Sequence, residues 1–186
     1  MSFSAEQAPP ARFVFLDRDG TLIEEKRFLS NLADIAFFPG SEAAIARLRD
    51  AGFKIVVISN QSGVGRGYFT EAFVHETHRA LQQHLAKHGT WVDGFYFCPH
   101  APEANCQCRK PRLGMFLQAA QDFQSALDGF MIGDKKGDVE AGRNAGLQTV
   151  LVRTGYGEQT IAEGKTHPDW IAEDLSAAVD WILQRR

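Results

Sequence analysis

Two carboxylates follow an apolar run near the start of the chain. Phe13–Leu16 is continuously apolar and leads directly into Asp17 and Asp19, which are spaced i and i+2. In an extended chain, two side chains at this spacing point the same way. An unbroken apolar run is typical of a strand buried on both faces of a parallel sheet, where ligands bind beyond the strand's carboxyl end. The pattern favours a catalytic pair over the alternative, a plain polar turn at Asp19-Gly20.

Polar side chains also follow the later apolar runs. Ser59 ends a β-branched run, Lys110 lies beyond a third run, and Asp134 ends a fourth. Together with Asp17 and Asp19 they suit phosphoryl transfer. Asp17 is the candidate nucleophile, and Asp19 can protonate the departing oxygen and then deprotonate water. Ser59 and Lys110 are the candidate ligands of the phosphoryl oxygens.

A phosphate dianion that approaches a carboxylate needs a cation beside it. Mg²⁺ prefers carboxylate and water oxygens, and the predicted protein ligands are Asp17, Asp134 and the backbone carbonyl of Asp19. Asp138 either supports this magnesium site or Lys135, or it caps the helix that follows.

A second cluster contains one histidine and all three cysteines of the chain, namely Cys98, His100, Cys106 and Cys108. Four such ligands within a short segment form a closed set suited to structural Zn²⁺. The alternatives are ordinary buried thiols or a redox pair of Cys106 and Cys108. We expect zinc to stiffen the loop that leads into Lys110.

The bulk properties favour an ordinary globular protein. The chain has 186 residues, of which 44% are hydrophobic and 23% charged, with a net charge of −3. This charge gives no indication of a nucleic-acid or membrane partner. Residues 1–11 are polar and lack the pattern of a secretory signal, so we expect a flexible leader. Three closely spaced cysteines make a poor disulfide framework, which favours a reducing cytoplasm. We expect a monomer that acts on a small phosphorylated metabolite.

Strand and helix patterns alternate, which predicts a Rossmann-like α/β fold: a parallel sheet with helices on both faces, in one domain over residues 12–186. Only 17 residues separate Thr21 from Pro39, so we expect no large cap domain. Ser41 and Thr70 are predicted helix caps, and residues 60–67 a glycine-rich loop. The four histidines of the helix that Thr70 begins are predicted to be solvent-exposed, which is favoured over a metal pair of His84 and His88. The predicted strands are 12–16, 54–59, 94–97, 130–132 and 149–152, and the predicted helices are 41–50, 70–89, 114–123, 138–144 and 174–184.

Four segments, taken in order, resemble the motifs of the haloacid-dehalogenase-like (HAD-like) phosphatases. They are Asp17-Arg18-Asp19-Gly20-Thr21, Ser59-Asn60-Gln61-Ser62-Gly63, Arg109-Lys110-Pro111 and Gly133-Asp134-Lys135. The resemblance covers residues 12 to about 155 and implies an Mg²⁺-dependent phosphatase with an aspartyl-phosphate intermediate. It also implies structural zinc in the cysteine loop, and substrate contacts from Asn60, Gln61, Ser62, Arg109 and Lys135.

The branch within this family follows from smaller features. Tyr68-Phe69 and Val152-Arg153-Thr154-Gly155 resemble the branch that removes one phosphate from a heptose bisphosphate. The short spacing from His100 to Cys106 also resembles the histidinol-phosphate phosphatases, and this remains the alternative. Two other classes use similar parts: signalling receiver domains with a phosphorylatable aspartate, and zinc-stabilised binding modules. Asp19, placed to catalyse hydrolysis, argues against the first, and the full catalytic set argues against the second.

Overall fold

The computed structural model describes residues 11–185, so residues 1–10 of the predicted leader lie outside the described residues. One six-stranded sheet organises this part of the chain. Its strands are β1 (Phe13–Leu16), β2 (Lys54–Asn60), β3 (Gly94–Cys98), β4 (Gly129–Gly133), β5 (Gln148–Val152) and β6 (Trp170–Ala172).

All neighbouring strands are parallel, in the order β3-β2-β1-β4-β5-β6. Strand β1 lies in the interior, with Phe13 in register with Lys54 of β2 and with Gly129 of β4. The chain winds outward from β1 in one direction through β2 and β3, and then crosses to β4 on the other side. Ligands of doubly wound sheets bind at this reversal, so the predicted nucleophile follows the strand best placed to present it.

Helices cover both faces of the sheet, as predicted. They are α1 (Ser41–Asp50), α2 (Ser62–Gly65), α3 (Glu71–Lys87), α4 (Gly114–Asp122), α5 (Lys136–Asn144), α6 (Gly157–Glu163) and α7 (Leu175–Leu183). Val14 and Leu16 pack with α1, α3 and α7 in one apolar cluster, while Phe13 and Phe15 pack with α4 and α5 in another. Burial on both faces explains why β1 is apolar at every position.

Some local predictions are confirmed and others are wrong. Thr70 caps α3 by accepting a hydrogen bond from the backbone N–H of Phe73 (3.2 Å). Ser41 does not cap α1: the cap is Gly40, with a left-handed backbone (φ 84°), and the Ser41 hydroxyl instead donates to the Leu22 carbonyl. The segment 60–67, predicted as a loop, contains the single helical turn α2. Strand β6 and helix α6 were not predicted, because a three-residue edge strand and a helix that begins at glycine carry little periodic signal.

The segment between Gly20 and Pro39 crosses the edge of the sheet without forming a cap domain. Ile23 bridges to Asp19 and to Phe37, and a single 3₁₀ turn covers Leu32–Asp34. This agrees with the predicted lack of a large cap. None of the helices within residues 11–185 is long and apolar enough to span a membrane.

The prediction that all four histidines of α3 are solvent-exposed is wrong for His78. Its ring is buried and stacks on Phe95, with ring centroids 4.7 Å apart. Its Nε2 is buried and has no hydrogen-bond partner within residues 11–185. Burial, and then the positive charge of Arg18, lower the pKa of His78 to about 3. The fold therefore holds this imidazole neutral.

We predict that His78→Leu reduces the acid sensitivity of folding. The pKa of histidine in the unfolded chain is about 6.5, so between that pH and about pH 3 only the unfolded state takes up this proton. The stability that depends on neutral His78 is fully present above pH 6.5 and is lost as the pH falls, at up to about 1.4 kcal/mol per pH unit. Urea unfolding at pH 4.5, 5.5 and 7 should show a shallower pH dependence for the variant. His75→Leu, at an exposed position of the same helix, should keep the wild-type slope, and an unchanged slope in His78→Leu would contradict the argument.

Candidate active site

Asp17 lies directly at the carboxyl end of β1. Its backbone N–H donates to the Ile132 carbonyl of β4 (2.9 Å), so the sheet fixes its position. The side chain is buried, and Oδ1 accepts a hydrogen bond from Lys110 Nζ at 2.9 Å. Burial acts to raise the pKa of Asp17, but the ammonium groups of Lys110 and Lys135 outweigh it and leave the pKa lowered. The carboxylate therefore stays ionised, as a nucleophile requires.

Asp19 is held by Arg18 and Gln61. Arg18 donates from Nε to Oδ2 (2.9 Å) and from Nη2 to Oδ1 (3.1 Å), which makes a bidentate pair. Gln61 donates from Nε2 to Asp19 Oδ2 (2.9 Å) and to the Ser59 hydroxyl, and its Oε1 accepts from Arg18. Bidentate guanidinium contacts fix both distance and orientation. Gln61, predicted as a substrate ligand, thus lies in the site with its amide directed at Asp19.

The role of Arg18 was not predicted, although the residue sits between the two catalytic carboxylates in the sequence. Its side chain is only 2% exposed, which is rare for arginine unless it is paired. The turn that follows requires glycine at position 20. Gly20 has φ 93°, and a Cβ added at this position would lie 2.1 Å from Asp134 Oδ2. This close approach brings the Asp17–Asp19 segment against the end of β4.

Lys110 is the central cation of the site. Besides Asp17, its Nζ contacts Asp138 Oδ1 at 2.7 Å and donates to the Ile58 carbonyl at 2.7 Å. Asn60 holds the backbone of Lys110 from both sides, accepting from its N–H (3.0 Å) and donating to its carbonyl (3.2 Å). Burial opposes the charge of Lys110, but Asp138 and Asp17 outweigh it and raise the pKa. Asn60, a predicted substrate ligand, is thus observed to position the lysine that is predicted to bind the phosphoryl group.

Asp138 caps the helix that follows, which is one of the roles that the sequence left open, and it also pairs with Lys110, which was not predicted. Its Oδ2 accepts from the backbone N–H of Lys135 (3.0 Å), closing a capping box at the start of α5, while Oδ1 pairs with Lys110. A buried carboxylate thus ties the end of β4 to the lysine that follows the cysteine loop.

The three oxygens predicted to bind magnesium do converge, and the Lys135 ammonium lies among them. Its Nζ is 3.0 Å from Asp134 Oδ1, 3.1 Å from the Asp19 carbonyl and 3.6 Å from Asp17 Oδ2. A cation of the protein itself therefore occupies the position that these oxygens surround, and a donor set made only of oxygens is of the kind that Mg²⁺ prefers. Burial, and then repulsion from Asp17, raise the pKa of Asp134 to about 8. Ionised Asp134 needs a cation beside it.

We predict that Lys135→Gln binds Mg²⁺ more tightly than the wild type. The ammonium competes for the same oxygens and repels a divalent ion, so its removal should lower the dissociation constant by roughly tenfold. Isothermal titration calorimetry without substrate measures this directly. Lys136→Gln is the matched control, because Lys136 pairs with Glu140 on the same helix and does not contact the three oxygens. Equal or weaker Mg²⁺ binding by Lys135→Gln would show that the lysine does not compete.

A cavity of about 370 Å³ opens over these groups. The segment 23–31 contributes Glu25, Arg27, Phe28 and Leu29 to its wall. Phe28 packs edge-on against Tyr68, which follows α2, with ring centroids 4.7 Å apart. Two loops thus meet at the cavity in the absence of a cap.

The predicted substrate residues Ser62, Arg109 and Lys135 line the same cavity, together with Asn60 and Gln61. Arg109 is notable because its Nη1 is buried without a hydrogen-bond partner within residues 11–185. A buried hydrogen-bond donor without a partner lowers the stability of the fold. The Arg109 guanidinium is therefore well suited to donate hydrogen bonds to an anionic group of a ligand. Lys135 Nζ also contacts Glu25 Oε2 at 3.2 Å.

The cysteine loop brings its four predicted zinc ligands together. The three sulfur atoms lie 3.1–3.5 Å from one another, and His100 Nδ1 lies 3.6 Å from Cys98 Sγ and 3.3 Å from Cys108 Sγ. Tetrahedral zinc with Zn–S bonds of about 2.3 Å separates sulfur ligands by roughly 3.8 Å, so this cluster needs only a small expansion to hold the ion. All three cysteines are free thiols. Burial opposes ionisation of Cys106, but hydrogen bonds from the Arg109 N–H and the neighbouring thiols outweigh it and lower the pKa to about 6.

We predict that Cys106→Ser loses a tightly held zinc, about one ion per chain, and that thermal stability and activity fall with it. The cluster immediately precedes Arg109 and Lys110, so a loosened loop should misplace both. Elemental analysis of protein purified without chelators, together with thermal unfolding, tests this. Gln107→Ser, at the exposed position between two of the ligands, is the matched control and should keep its zinc. Wild-type protein without zinc would contradict the prediction.

The sheet, the Asp17–Asp19 pair and the convergent lysines define the chain as a phosphoryl-transfer hydrolase of the HAD-like class. Residues 107–178 match the HAD-hydrolase-like family. The D-glycero-D-manno-heptose-1,7-bisphosphate 7-phosphatase of Thermosynechococcus vestitus is 42% identical over 93% of this chain and 96% of the relative. The D-glycero-beta-D-manno-heptose-1,7-bisphosphate 7-phosphatase of Pseudomonas putida is 39% identical over 89% of this chain and 96% of the relative.

A solved structure agrees with these relatives. The D,D-heptose 1,7-bisphosphate phosphatase of B. bronchiseptica, complexed with magnesium and phosphate, superposes with a TM-score of 0.88 at 36% identity, covering 94% of this chain and 99% of that one. The chain therefore belongs to the D-glycero-D-manno-heptose-1,7-bisphosphate 7-phosphatase family of HAD-like hydrolases.

Proposed function

We propose that the protein removes the 7-phosphate of D-glycero-D-manno-heptose 1,7-bisphosphate, a step towards the ADP-heptose precursor of the lipopolysaccharide core. The observation that carries this is the ionised, buried Asp17 in contact with Lys110, with Asp19 clamped beside it in the same cavity. The relatives named for this reaction match nearly the whole chain.

In the first step, a carboxylate oxygen of Asp17 attacks phosphorus. The bond from phosphorus to the sugar oxygen breaks, and that oxygen takes a proton from Asp19. Lys110 and the Ser59 hydroxyl bind the phosphoryl oxygens, where negative charge must be stabilised. When bound by Asp17, Asp134 and the Asp19 carbonyl, Mg²⁺ supplies charge neutralisation between the nucleophile and the phosphoryl group.

In the second step, Asp19 takes a proton from water as the water oxygen attacks phosphorus. The bond between phosphorus and Asp17 breaks, and inorganic phosphate leaves with Asp17 again a carboxylate. The bidentate contact from Arg18 holds Asp19 in one orientation for both proton transfers. This hydrolytic step separates the proposal from a receiver domain, whose aspartyl phosphate persists.

Magnesium and structural zinc are the cofactors of this proposal. The convergent oxygens around the Lys135 ammonium and the magnesium in the related structure support the first. The spacing of the cysteine–histidine cluster supports the second. A single domain, a monomer and a cytoplasmic location stay predictions of the sequence.

Arg109 supports a bisphosphate over histidinol phosphate. If Lys110 binds the phosphoryl group that is transferred, the neighbouring guanidinium reaches another part of the substrate. Its unpaired buried Nη1 favours an anion there, and guanidinium can bind two phosphate oxygens at once. Histidinol phosphate offers no second phosphate.

We predict that Arg109→Ala lowers kcat/KM for heptose 1,7-bisphosphate by about 10- to 100-fold, the value of one charge-assisted contact. Histidinol phosphate and p-nitrophenyl phosphate should be affected much less. Arg112→Ala is the control for loop packing, since Arg112 holds the backbone carbonyls of Asn105 and Cys106 and does not line the cavity. This control variant should lower kcat/KM for all three substrates by a similar factor. Asp17→Asn supplies the inactive blank.

Two outcomes count against the proposal. Equal losses on all substrates in Arg109→Ala would mean that the residue only packs against the cysteine loop. A wild-type preference for histidinol phosphate over the heptose bisphosphate would overturn the substrate itself.

A further inference from the structure

Three side chains of metal-binding type meet outside the active site and the cysteine loop. His84 and His88 lie one turn apart on α3, and Glu42 lies in the first turn of α1. One ligand atom from each lies within 4.8 Å of the other two. The sequence shows the histidine pair but no carboxylate near it, because Glu42 precedes His84 by 42 positions and only the fold brings it in.

The two imidazoles are held in defined orientations. His84 stacks on Phe37, with centroids 4.1 Å apart and ring planes 14° apart, and its Nε2 lies 2.7 Å from Glu42 Oε1. His88 Nδ1 lies 2.9 Å from the His84 carbonyl, which can only accept a hydrogen bond, so Nδ1 carries the proton. That leaves His88 Nε2 as a lone-pair donor. A ring whose second nitrogen donates to a carbonyl is the usual arrangement of a metal-ligating histidine.

An ordinary ion pair accounts for only part of this arrangement. It explains the contact of Glu42 with His84, but not the His88 ring, which lies 4.6 Å from the His84 ring. A tetrahedral metal bound at about 2.0–2.2 Å from both a nitrogen and a carboxylate oxygen separates them by roughly 3.4 Å. The 2.7 Å between His84 Nε2 and Glu42 Oε1 therefore needs to open by roughly 0.7 Å, which a rotation of the Glu42 side chain can supply.

We propose that Glu42, His84 and His88 bind one divalent transition-metal ion of the Zn²⁺ class, with water completing the coordination. Two imidazoles and one carboxylate suit Zn²⁺, Co²⁺ and Ni²⁺ better than Mg²⁺, which prefers oxygen ligands alone. The ion joins α1 to α3 beside Phe37. Since Phe37 pairs with Ile23 at the base of the segment that lines the cavity, the site braces that segment from outside.

The test is a titration with Co²⁺ of protein that carries one equivalent of zinc per chain, which fills the cysteine loop, in excess Mg²⁺, which keeps the catalytic oxygens occupied. We expect one further equivalent to bind with visible bands typical of nitrogen and oxygen ligands, without the thiolate-to-cobalt absorption that the cysteine loop would give. His88→Gln and Glu42→Gln should each weaken this binding at least tenfold. His75→Gln, an exposed histidine on the same helix, should bind like the wild type.

Thermal unfolding supplies a second readout that separates binding from folding. Before Co²⁺ is added, all variants, each carrying one equivalent of zinc per chain, should unfold at similar temperatures. Added Co²⁺ should raise the unfolding temperature of the wild type by several degrees and that of His88→Gln by much less, because only a folded site binds the ion. Absence of the extra equivalent in the wild type, or unchanged affinity in both variants, would leave only an ion pair and overturn the proposal. Neither outcome depends on phosphatase activity, so the proposed function is tested separately.

Discussion

The buried contact between Lys110 and Asp17 is the constraint on which the rest of the site depends. Two opposite charges removed from water cost several kcal/mol each unless each is well paired, and loss of one partner typically costs about 3–5 kcal/mol. Here the pairing depends on three separate parts of the fold. Asp17 follows strand β1, Lys110 follows the cysteine loop, and Asp138 lies at the start of α5. The carboxylates of Asp17 and Asp138 both contact the Lys110 ammonium. Any shift of one part leaves a buried charge unpaired, so catalysis and stability share the same contacts.

The same constraint gives a structural role to the zinc that we propose for the loop before Lys110. From Cys98 to Lys110 the chain forms only the short 3₁₀ turn Pro102–Ala104, which contributes no buried residue to the core. A segment with so little apolar packing does not by itself hold a lysine within 2.9 Å of a buried carboxylate. Four ligands drawn from this segment give it a compact centre, and the hydrogen bonds between Asn60 and Lys110 join that centre to β2. The proposed zinc thus affects catalysis only by holding Lys110 in position.

Much of the fold and of the candidate site could be predicted from the sequence. The features that could not be predicted have a physical reason in common. Strand β1, the position of Asp17 at its carboxyl end and the Thr70 cap follow from patterns within a few residues, and these placements are confirmed. The burial of Arg18 could not be predicted, because its guanidinium pairs with Gln61, which is 43 positions away. The buried state of His78 depends on Phe95 of the next strand, and the carboxylate beside His84 comes from another helix. Strand β6 forms at the sheet edge, where Trp170 is half-exposed and alternation is weak. Periodicity records which face an element buries, but not which distant side chain completes a polar contact.

Charge balance links the resting site to its ligands. Three buried carboxylates, Asp17, Asp134 and Asp138, face two ammonium groups, those of Lys110 and Lys135, in the described structure. With all five groups ionised the cluster carries one net negative charge, which is tolerable only because Lys135 lies among the oxygens that suit a metal. A divalent cation at those oxygens would displace the ammonium towards the cavity wall and, with Lys110, would neutralise the three carboxylates, so the metal-loaded site would no longer repel a phosphate dianion as the bare carboxylates do. Glu25 and the Tyr156 ring, 3.2 Å and 5.0 Å from the Lys135 nitrogen, lie along the cavity wall and can receive it. The lysine that stands in for the metal is then positioned to face the substrate, which reconciles its observed contacts with the substrate role that the sequence predicted.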